Sequence, residues 1–141
     1  MIDHILLTKK LEELRDYLND LKNLAAMDTK EILSDPFKYH TAERIFQLVV
    51  DVSVDINIHI IREKGVPAPD DLQSTFVALG KIDILPNDLA VKIAPVVGLR
   101  NRIVHRYDTL DKSAFVELLK KNLPDFDQYF RSVSIFVKKL D

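Results

Sequence analysis

The chain has no cysteine and no tryptophan among its 141 residues, and it has only three glycines. Without cysteine it can form no disulfide, no thiolate zinc site and no thiol nucleophile. The few glycines and the near absence of alternating apolar and polar residues argue against β structure. No apolar run approaches the roughly 20 residues that span a bilayer, so we expect a soluble, cytoplasmic protein without a membrane partner.

An excess of charge of one sign is also missing, because 20 Lys and Arg residues stand against 22 Asp and Glu residues. As a total, the net charge of −2 argues against a general nucleic-acid-binding surface. Its distribution is uneven, because no acidic residue lies between Asp88 and Asp108. We therefore expect a local phosphate-attracting patch in this stretch. Its four cationic residues are Lys92, Arg100, Arg102 and Arg106.

The length and a hydrophobic content of 47% suit one globular domain spanning residues 1–141. The spacing of apolar residues predicts an all-α protein, an antiparallel helical bundle of four long helices plus short ones. The long helices are predicted over 2–27, 36–64, 86–105 and from 124 onward. Short helices are predicted up to Gly80, capped by Asp70 or Asp71, and over 113–119. Turns are predicted at 28–31 and 108–111.

The predicted helix over 36–64 is apolar around nearly its whole circumference, which is typical of a central helix or of one that also meets a second copy. Its remaining arc carries Asp51, Asp55 and His59, spaced by four residues. One interpretation is a solvated face on which Asp55 pairs with His59 and Arg62. The other is a polar stripe that supports a cleft. A metal site is not predicted, because no Glu-x-x-His pair repeats on another helix.

Arg100 lies in the middle of an apolar stripe when 86–105 is drawn as one helix at about 100° per residue. An unpaired buried guanidinium is very costly, so it must have a partner or face something other than the core. A structural salt bridge to Asp51 or Asp55 is one interpretation. The other is an arginine held in a partly dry cleft, where its fork of donors binds a phosphate.

His105 is the only histidine beside this cationic stretch, and Asn101 lies four residues before it. Imidazole can accept or donate a proton near neutral pH, and arginine can stabilise charge that develops on a phosphate. Together they suffice for metal-independent phosphodiester cleavage, with Asn101 orienting the histidine or the phosphate. Arg100 and His105 are five residues apart, which separates them by about 140° on an ideal helix. They serve one site only if the helix ends near His105 or if two chains build the site.

The pattern Arg100-x4-His105-x-Tyr107, with Asn101 directly after the arginine, resembles the motif of HepT-like toxins in the HEPN superfamily of helical ribonucleases. The resemblance extends to residues 42–47 and 55–60, which look like the second helix of that family, and to the Gly-Leu pair before Arg100. It implies a HEPN-like homodimer in which the two motifs face a shared cleft. It also implies a metal-independent endoribonuclease without a cofactor, in which Arg100 and His105 are catalytic and Asn101 assists.

The same resemblance implies a protein partner, a small nucleotidyltransferase antitoxin. Such a partner transfers AMP from ATP onto the motif tyrosine, here Tyr107. The adenylate would fill the cleft and add negative charge where the RNA phosphate binds. Arg102 and Arg106 are further basic residues that the motif does not require. Three interpretations stay open for them: binding to RNA, binding to the partner, or solvation alone.

Two other classes of function remain open at this point. One is a non-catalytic companion of a nucleotidyltransferase that binds nucleotide or substrate. The other is a helical oligomerisation module in which Arg100 forms only a structural ion pair. In the latter, replacing Arg100 by alanine would strand a buried carboxylate and destabilise the fold by about 3–5 kcal/mol.

Overall fold

The structure is a computed structural model that describes residues 2–105 and 110–140. Within these residues three helices are long and four are short. The all-α class is therefore confirmed, whereas the number of long helices was predicted as four. The helices are α1 His4–Ala25, α2 Thr29–Ser34, α3 Pro36–Glu63, α4 Gln73–Lys81, α5 Asn87–Ile93, α6 Val96–His105 and α7 Lys112–Lys138.

Helix α1 runs antiparallel to α3 and to α7, as predicted for a bundle. Near its start, Lys10 Nζ lies 3.6 Å from Asp55 Oδ2 in the second half of α3. Just beyond its end, the carbonyl of Met27 accepts a hydrogen bond from Lys120 Nζ in the first half of α7 (2.8 Å). One row of leucines buries the inner face of α1 against both helices. This row consists of Leu7, Leu11, Leu14, Leu18, Leu21 and Leu24.

Helix α3 lies at the centre of the molecule and contacts α1, α2, α4 and α6. It begins as predicted, since Asp35 Oδ1 accepts a hydrogen bond from the Phe37 amide (2.9 Å) and Pro36 takes the first helical position. It ends before Gly65, whose φ of 68° lies in the left-handed region that favours glycine. Burial on most sides explains why the sequence of α3 is apolar around nearly its whole circumference.

A buried polar network joins α3 to α4 and α7. The Tyr129 hydroxyl lies 2.6 Å from Asn57 Oδ1 and 3.0 Å from the carbonyl oxygen of Ser53, and Asn57 Nδ2 donates to Thr75 Oγ1 (3.1 Å). Burial raises the pKa of Tyr129, which keeps the phenol a hydrogen-bond donor. These hydrogen bonds fix the positions of α3, α4 and α7 relative to one another on the side of α3 that faces the core.

The helix predicted over 86–105 is in fact two helices, α5 and α6, which are separated at Ala94 and Pro95. Proline has no N–H to donate to the preceding turn, and its ring restricts the residue before it. After the break, the Gly98 amide bonds to the Pro95 carbonyl (3.1 Å) and α6 restarts. A single helical wheel over 86–105 therefore orients the residues before the break wrongly relative to Arg100. Within α6 the apolar side is buried as predicted, with Val96, Val97, Leu99 and Ile103 in the core.

The opposite error concerns α7, which was predicted as two helices starting at Ser113 and near Pro124. It is one helix of 27 residues with Pro124 in its interior. An internal proline costs about 3 kcal/mol. Fully buried Phe115 and Leu119 before it, and Phe126 and Tyr129 after it, anchor both halves in the core and offset that cost.

The predicted turn after α1 also differs, because it opens the short helix α2. Asp28 precedes that helix without a side-chain capping bond. By contrast, Asp71 Oδ1 accepts a hydrogen bond from the Ser74 amide (2.7 Å) just before α4, where a capping aspartate was expected. In the described part of the chain, no helix is long and apolar enough to cross a lipid bilayer.

Candidate active site

Helices α3 and α6 pack against each other and leave a cleft between them, with Leu72 at its rim. We call it the α3–α6 cleft; its volume is about 370 Å³. Its walls carry apolar side chains from both helices, together with polar side chains from α3 and α6. The lining residues are Val50, Asp51, Val54, Asp55, Ile58, Leu72, Val97, Arg100 and Asn101.

Arg100 reaches from α6 to α3, where it meets the carboxylate of Asp51 side-on. Its Nε lies 2.8 Å from Asp51 Oδ1, and its Nη2 lies 3.3 Å from Asp51 Oδ2. This arrangement is the bidentate pairing that favours arginine over lysine. The ion pair fixes the guanidinium plane and joins the two walls of the cleft.

Asn101 engages the third nitrogen of the same guanidinium. Its Oδ1 accepts a hydrogen bond from Arg100 Nη1 (3.2 Å). A guanidinium has five N–H groups, and these contacts use one on each nitrogen. Within residues 2–105 and 110–140, one N–H on Nη1 and one on Nη2 thus remain for a ligand. These two donors are available to phosphate oxygens.

The Arg100–Asp51 pair is only partly removed from solvent. The Arg100 side chain is 22% exposed and the Asp51 side chain is 38% exposed. Both interpretations of Arg100 thus find support, because it pairs with Asp51 and yet lies at an open cleft. The exposure matters for energetics, since water can solvate either partner if the other is removed.

The other two polar residues of the predicted α3 stripe, Asp55 and His59, contact α1 or the residue before it instead of Arg100. Asp55 lines the cleft but forms its ion pair with Lys10 of α1, instead of the predicted pairs with His59 and Arg62. His59 lies outside the cleft lining, and its Nε2 accepts a hydrogen bond from the Asp3 amide (3.2 Å) at the start of α1. No group of three potential metal-ligating side chains occurs in the part of the chain that the structure describes.

His105 is exposed at the last residue of α6 and does not line the cleft around Arg100. Five helical residues separate the two side chains by roughly 7–8 Å along the axis and by about 140° around it. The cleft thus brings Arg100 together with Asn101 and Asp51, but not with His105 of the same chain. Arg102 is exposed on another side of α6. Arg106 and Tyr107 lie outside the described residues.

The predicted basic patch is divided in the fold. Lys92 Nζ lies 3.4 Å from the buried carboxylate of Asp125 on α7, and Arg100 points towards α3. Lys92 and Arg100 therefore face different parts of the molecule, and Arg102 lies on another side of α6 from Arg100.

The sequence did not lead us to predict two features, one beside the cleft and one at the start of α3. Lys10 was not predicted as a partner of Asp55, because nothing local connects residues of two different helices. A second groove at the start of α3, lined in part by Phe37 and Arg44, was also missed. The sequence did contain a sign of this groove. Phe37, Arg44 and Asp51 follow one another at intervals of seven residues and so share one side of the helix.

Comparison with known proteins agrees with this architecture. The family model described as "Ribonuclease HepT-like" matches residues 11–133. The chain is 31% identical over 140 residues to a tRNA nuclease HepT of Aphanizomenon flos-aquae, covering 99% of this chain and 95% of that protein. It is 29% identical over 83 residues to an mRNA nuclease HepT of Shewanella oneidensis, covering 59% of this chain and 62% of that one.

A solved structure has the same fold. It is a tri-AMPylated HEPN toxin of Shewanella oneidensis in complex with an MNT antitoxin, and it superposes with a TM-score of 0.84 at 21% identity. The match covers 96% of this chain and 99% of that one. Together with the match of the family model over most of the chain, these findings confirm the predicted family: the chain belongs to the ribonuclease HepT-like family.

Proposed function

We propose that the protein is the toxin of a pair formed with a nucleotidyltransferase antitoxin, and that it is a metal-independent endoribonuclease acting in the cytoplasm. One observation carries the proposal. In a member of the ribonuclease HepT-like family, Arg100 is held rigidly at a cleft with two N–H groups left for a phosphate, five residues before His105.

The residues have distinct roles in the proposed reaction. The ribose 2′-oxygen attacks the adjacent phosphorus and the bond to the 5′-oxygen breaks, which yields a cyclic phosphate and a 5′-hydroxyl. His105 takes the proton of the 2′-hydroxyl or supplies one to the leaving 5′-oxygen. Arg100 stabilises the charge that develops on the phosphate. Arg102 and Arg106 contribute further positive charge towards RNA.

Asp51 and Asn101 position Arg100 in this scheme. Their hydrogen bonds hold all three nitrogens of the guanidinium and so aim its remaining donors before RNA arrives. Preorganised donors lose little free energy to reorganisation when charge develops. Asp55 lines the same cleft and supports its wall through Lys10.

A homodimer completes the site. Within one chain His105 lies on a different side of α6 from Arg100, so a second copy facing the α3–α6 cleft supplies the missing imidazole. The rim of the cleft offers apolar surface for such a contact, including Leu72, which is 47% exposed. A two-fold arrangement then creates two identical composite sites.

The proposed RNA cleavage is tested with the purified, unmodified chain in EDTA. We expect cleavage of single-stranded RNA to continue, and the downstream products to be phosphorylated by polynucleotide kinase without phosphatase treatment, because their 5′-ends are hydroxyls. Intact RNA after incubation with folded, unmodified protein would instead favour the non-catalytic companion role.

The antitoxin is proposed to neutralise the toxin by AMP transfer to Tyr107. A bond forms between the tyrosine oxygen and the α-phosphorus of ATP, and pyrophosphate and the phenolic proton leave. Each adenylate adds negative charge close to the catalytic arginine and histidine, where it competes with RNA phosphate.

Co-expression with its cognate nucleotidyltransferase is expected to increase the intact mass of the chain by whole AMP units and to abolish cleavage. In Tyr107→Phe the mass should stay unchanged and cleavage should persist, because the accepting oxygen is missing. Tyr17→Phe serves as the matched control on α1. Modification of the Tyr107→Phe chain to the same extent would contradict the assignment of Tyr107.

A further inference from the structure

The first three turns of α3 carry a groove that the proposed catalytic residues do not use. It is lined by Pro36, Phe37, His40, Thr41, Arg44 and Ile45 and has a volume of about 560 Å³. We call it the α3 groove. Phe37 is 85% exposed, more than any other large apolar side chain among the described residues.

The position of Phe37 is fixed by the start of the helix. Its amide donates to Asp35 Oδ1 (2.9 Å), and Pro36 restricts the backbone immediately before it. The ring therefore projects from an ordered helical turn. An exposed aromatic ring on an ordered backbone at the edge of a groove is a surface on which a planar group can stack.

The α3 groove and the α3–α6 cleft lie along one side of α3. Phe37, Arg44 and Asp51 follow each other at intervals of seven residues, which is close to two helical turns. Arg44 is thus about 10 Å along the axis from Asp51, the residue that holds Arg100. An RNA strand whose phosphate contacts Arg100 can therefore extend along this side of α3 into the α3 groove.

Charge in the α3 groove is positive. Among the described residues no carboxylate lines it, and the one acidic side chain between Pro36 and Gln47, Glu43, is buried beside the His40 ring (3.2 Å from Oε1 to Nδ1). Arg44 is exposed and donates to Gln47 Oε1 (3.2 Å). In the described residues no carboxylate neutralises Arg44, which leaves its charge for an anion.

We propose that the α3 groove binds a nucleotide of the RNA next to the cleaved bond, with the base stacked on Phe37 and a phosphate bound by Arg44. This inference rests on the proposed ribonuclease function and assigns it a specificity site. An aromatic ring next to an arginine is the usual combination in sites for single-stranded nucleic acid. Because stacking reads the face of a base, the site selects unpaired nucleotides.

The dimensions favour a nucleotide over a protein. A volume of about 560 Å³ falls within the roughly 300–1,000 Å³ of small-molecule sites. A stable protein interface takes about 20–30 residues from each side, whereas six of the residues that the structure describes line this groove. The groove therefore fits one or two planar groups better than a helix of a partner.

Binding is measured in the His105→Ala background by fluorescence anisotropy of a labelled single-stranded RNA. We expect Phe37→Ala and Arg44→Ala each to weaken binding about ten-fold. Phe37→Leu should lose nearly as much as Phe37→Ala, because leucine keeps apolar surface but has no π face. Arg44→Ala should also lower the slope of log affinity against log salt by about one.

Matched controls lie on α1, away from the groove. Ile5→Ala removes an exposed apolar side chain (71% exposed) and Arg15→Ala removes an exposed arginine, and neither should change RNA binding. RNA affinity unchanged in the Phe37 and Arg44 variants would overturn the proposal. So would a selective loss of self-association or of antitoxin binding, measured by light scattering and by titration.

The catalytic assay separates this inference from the function on which it rests. If the unsubstituted chain cleaves RNA and Phe37→Ala and Arg44→Ala cleave it with unchanged kcat/KM, the nucleotide site is wrong and the ribonuclease stands. If the unsubstituted chain neither binds nor cleaves RNA, both proposals fail. Support requires active enzyme together with a raised KM in both variants.

Discussion

Arg100→Ala is expected to lower RNA cleavage about 10²- to 10³-fold while changing the free energy of unfolding by about 1 kcal/mol or less. The loss of activity follows from removing the donors that we propose to face the scissile phosphate. The small change in stability follows from the exposure of the pair, because water reaches Asp51, whose side chain is 38% exposed, when its partner is gone. Initial cleavage rates and thermal melts of the same preparation measure the two effects.

Two further variants separate charge from geometry at this position. Arg100→Lys keeps the charge, but a single ammonium cannot hold Asp51 and Asn101 and bind a phosphate side-on, so most of the activity should be lost. Asp51→Asn should lower kcat through a less fixed guanidinium, while KM falls because a negative charge has left the cleft. Arg15→Ala on α1 is the control and should match the unsubstituted protein.

The opposite result would contradict a catalytic role for Arg100. It would be destabilisation of Arg100→Ala by several kcal/mol in a thermal melt, with unchanged cleavage by the folded fraction. Arg100 would then be a structural residue only, as in the oligomerisation module considered from the sequence. The partial exposure of the ion pair argues against that outcome.

His105→Ala is expected to lower cleavage about 10²- to 10⁴-fold, the range of general acid–base catalysis. The side chain is exposed at the last residue of α6, so the melting temperature should stay within a few degrees of the parent. Val104→Ala, which truncates an exposed neighbour on the same turn, is the control for disturbance of the helix end. Equal losses in both variants would argue against a chemical role for His105.

Mixing the two inactive variants tests whether two chains build the site. If Arg100 of one chain works with His105 of the other, half of the random dimers are mixed and each has one intact composite site. About a quarter of the parental activity should then return after exchange of subunits. No recovery, with exchange confirmed by mass spectrometry, would place both residues of a site in the same chain.

Much of the fold follows from local patterns. The leucine row predicts α1, Asp35 and Pro36 mark the start of α3, and Gly65 marks its end. These signals rely on helical periodicity and capping, which act within a few residues. The prolines were harder to interpret, because Pro95 separates two helices while Pro124 lies inside one. Burial of the side chains on either side of the proline decides between those outcomes. That burial depends on residues distant in sequence.

The sequence by itself determined the helical class, the family and the motif residues Arg100, Asn101 and His105. Only the tertiary structure decided which partner Arg100 takes and which side of α3 forms the cleft. Asp51 and Asp55 were equal candidates from spacing, since both lie on one stripe, yet Arg100 pairs with Asp51 and Lys10 with Asp55. Periodicity orients side chains around their own helix, whereas the pairing of helices depends on how all the apolar faces pack at once.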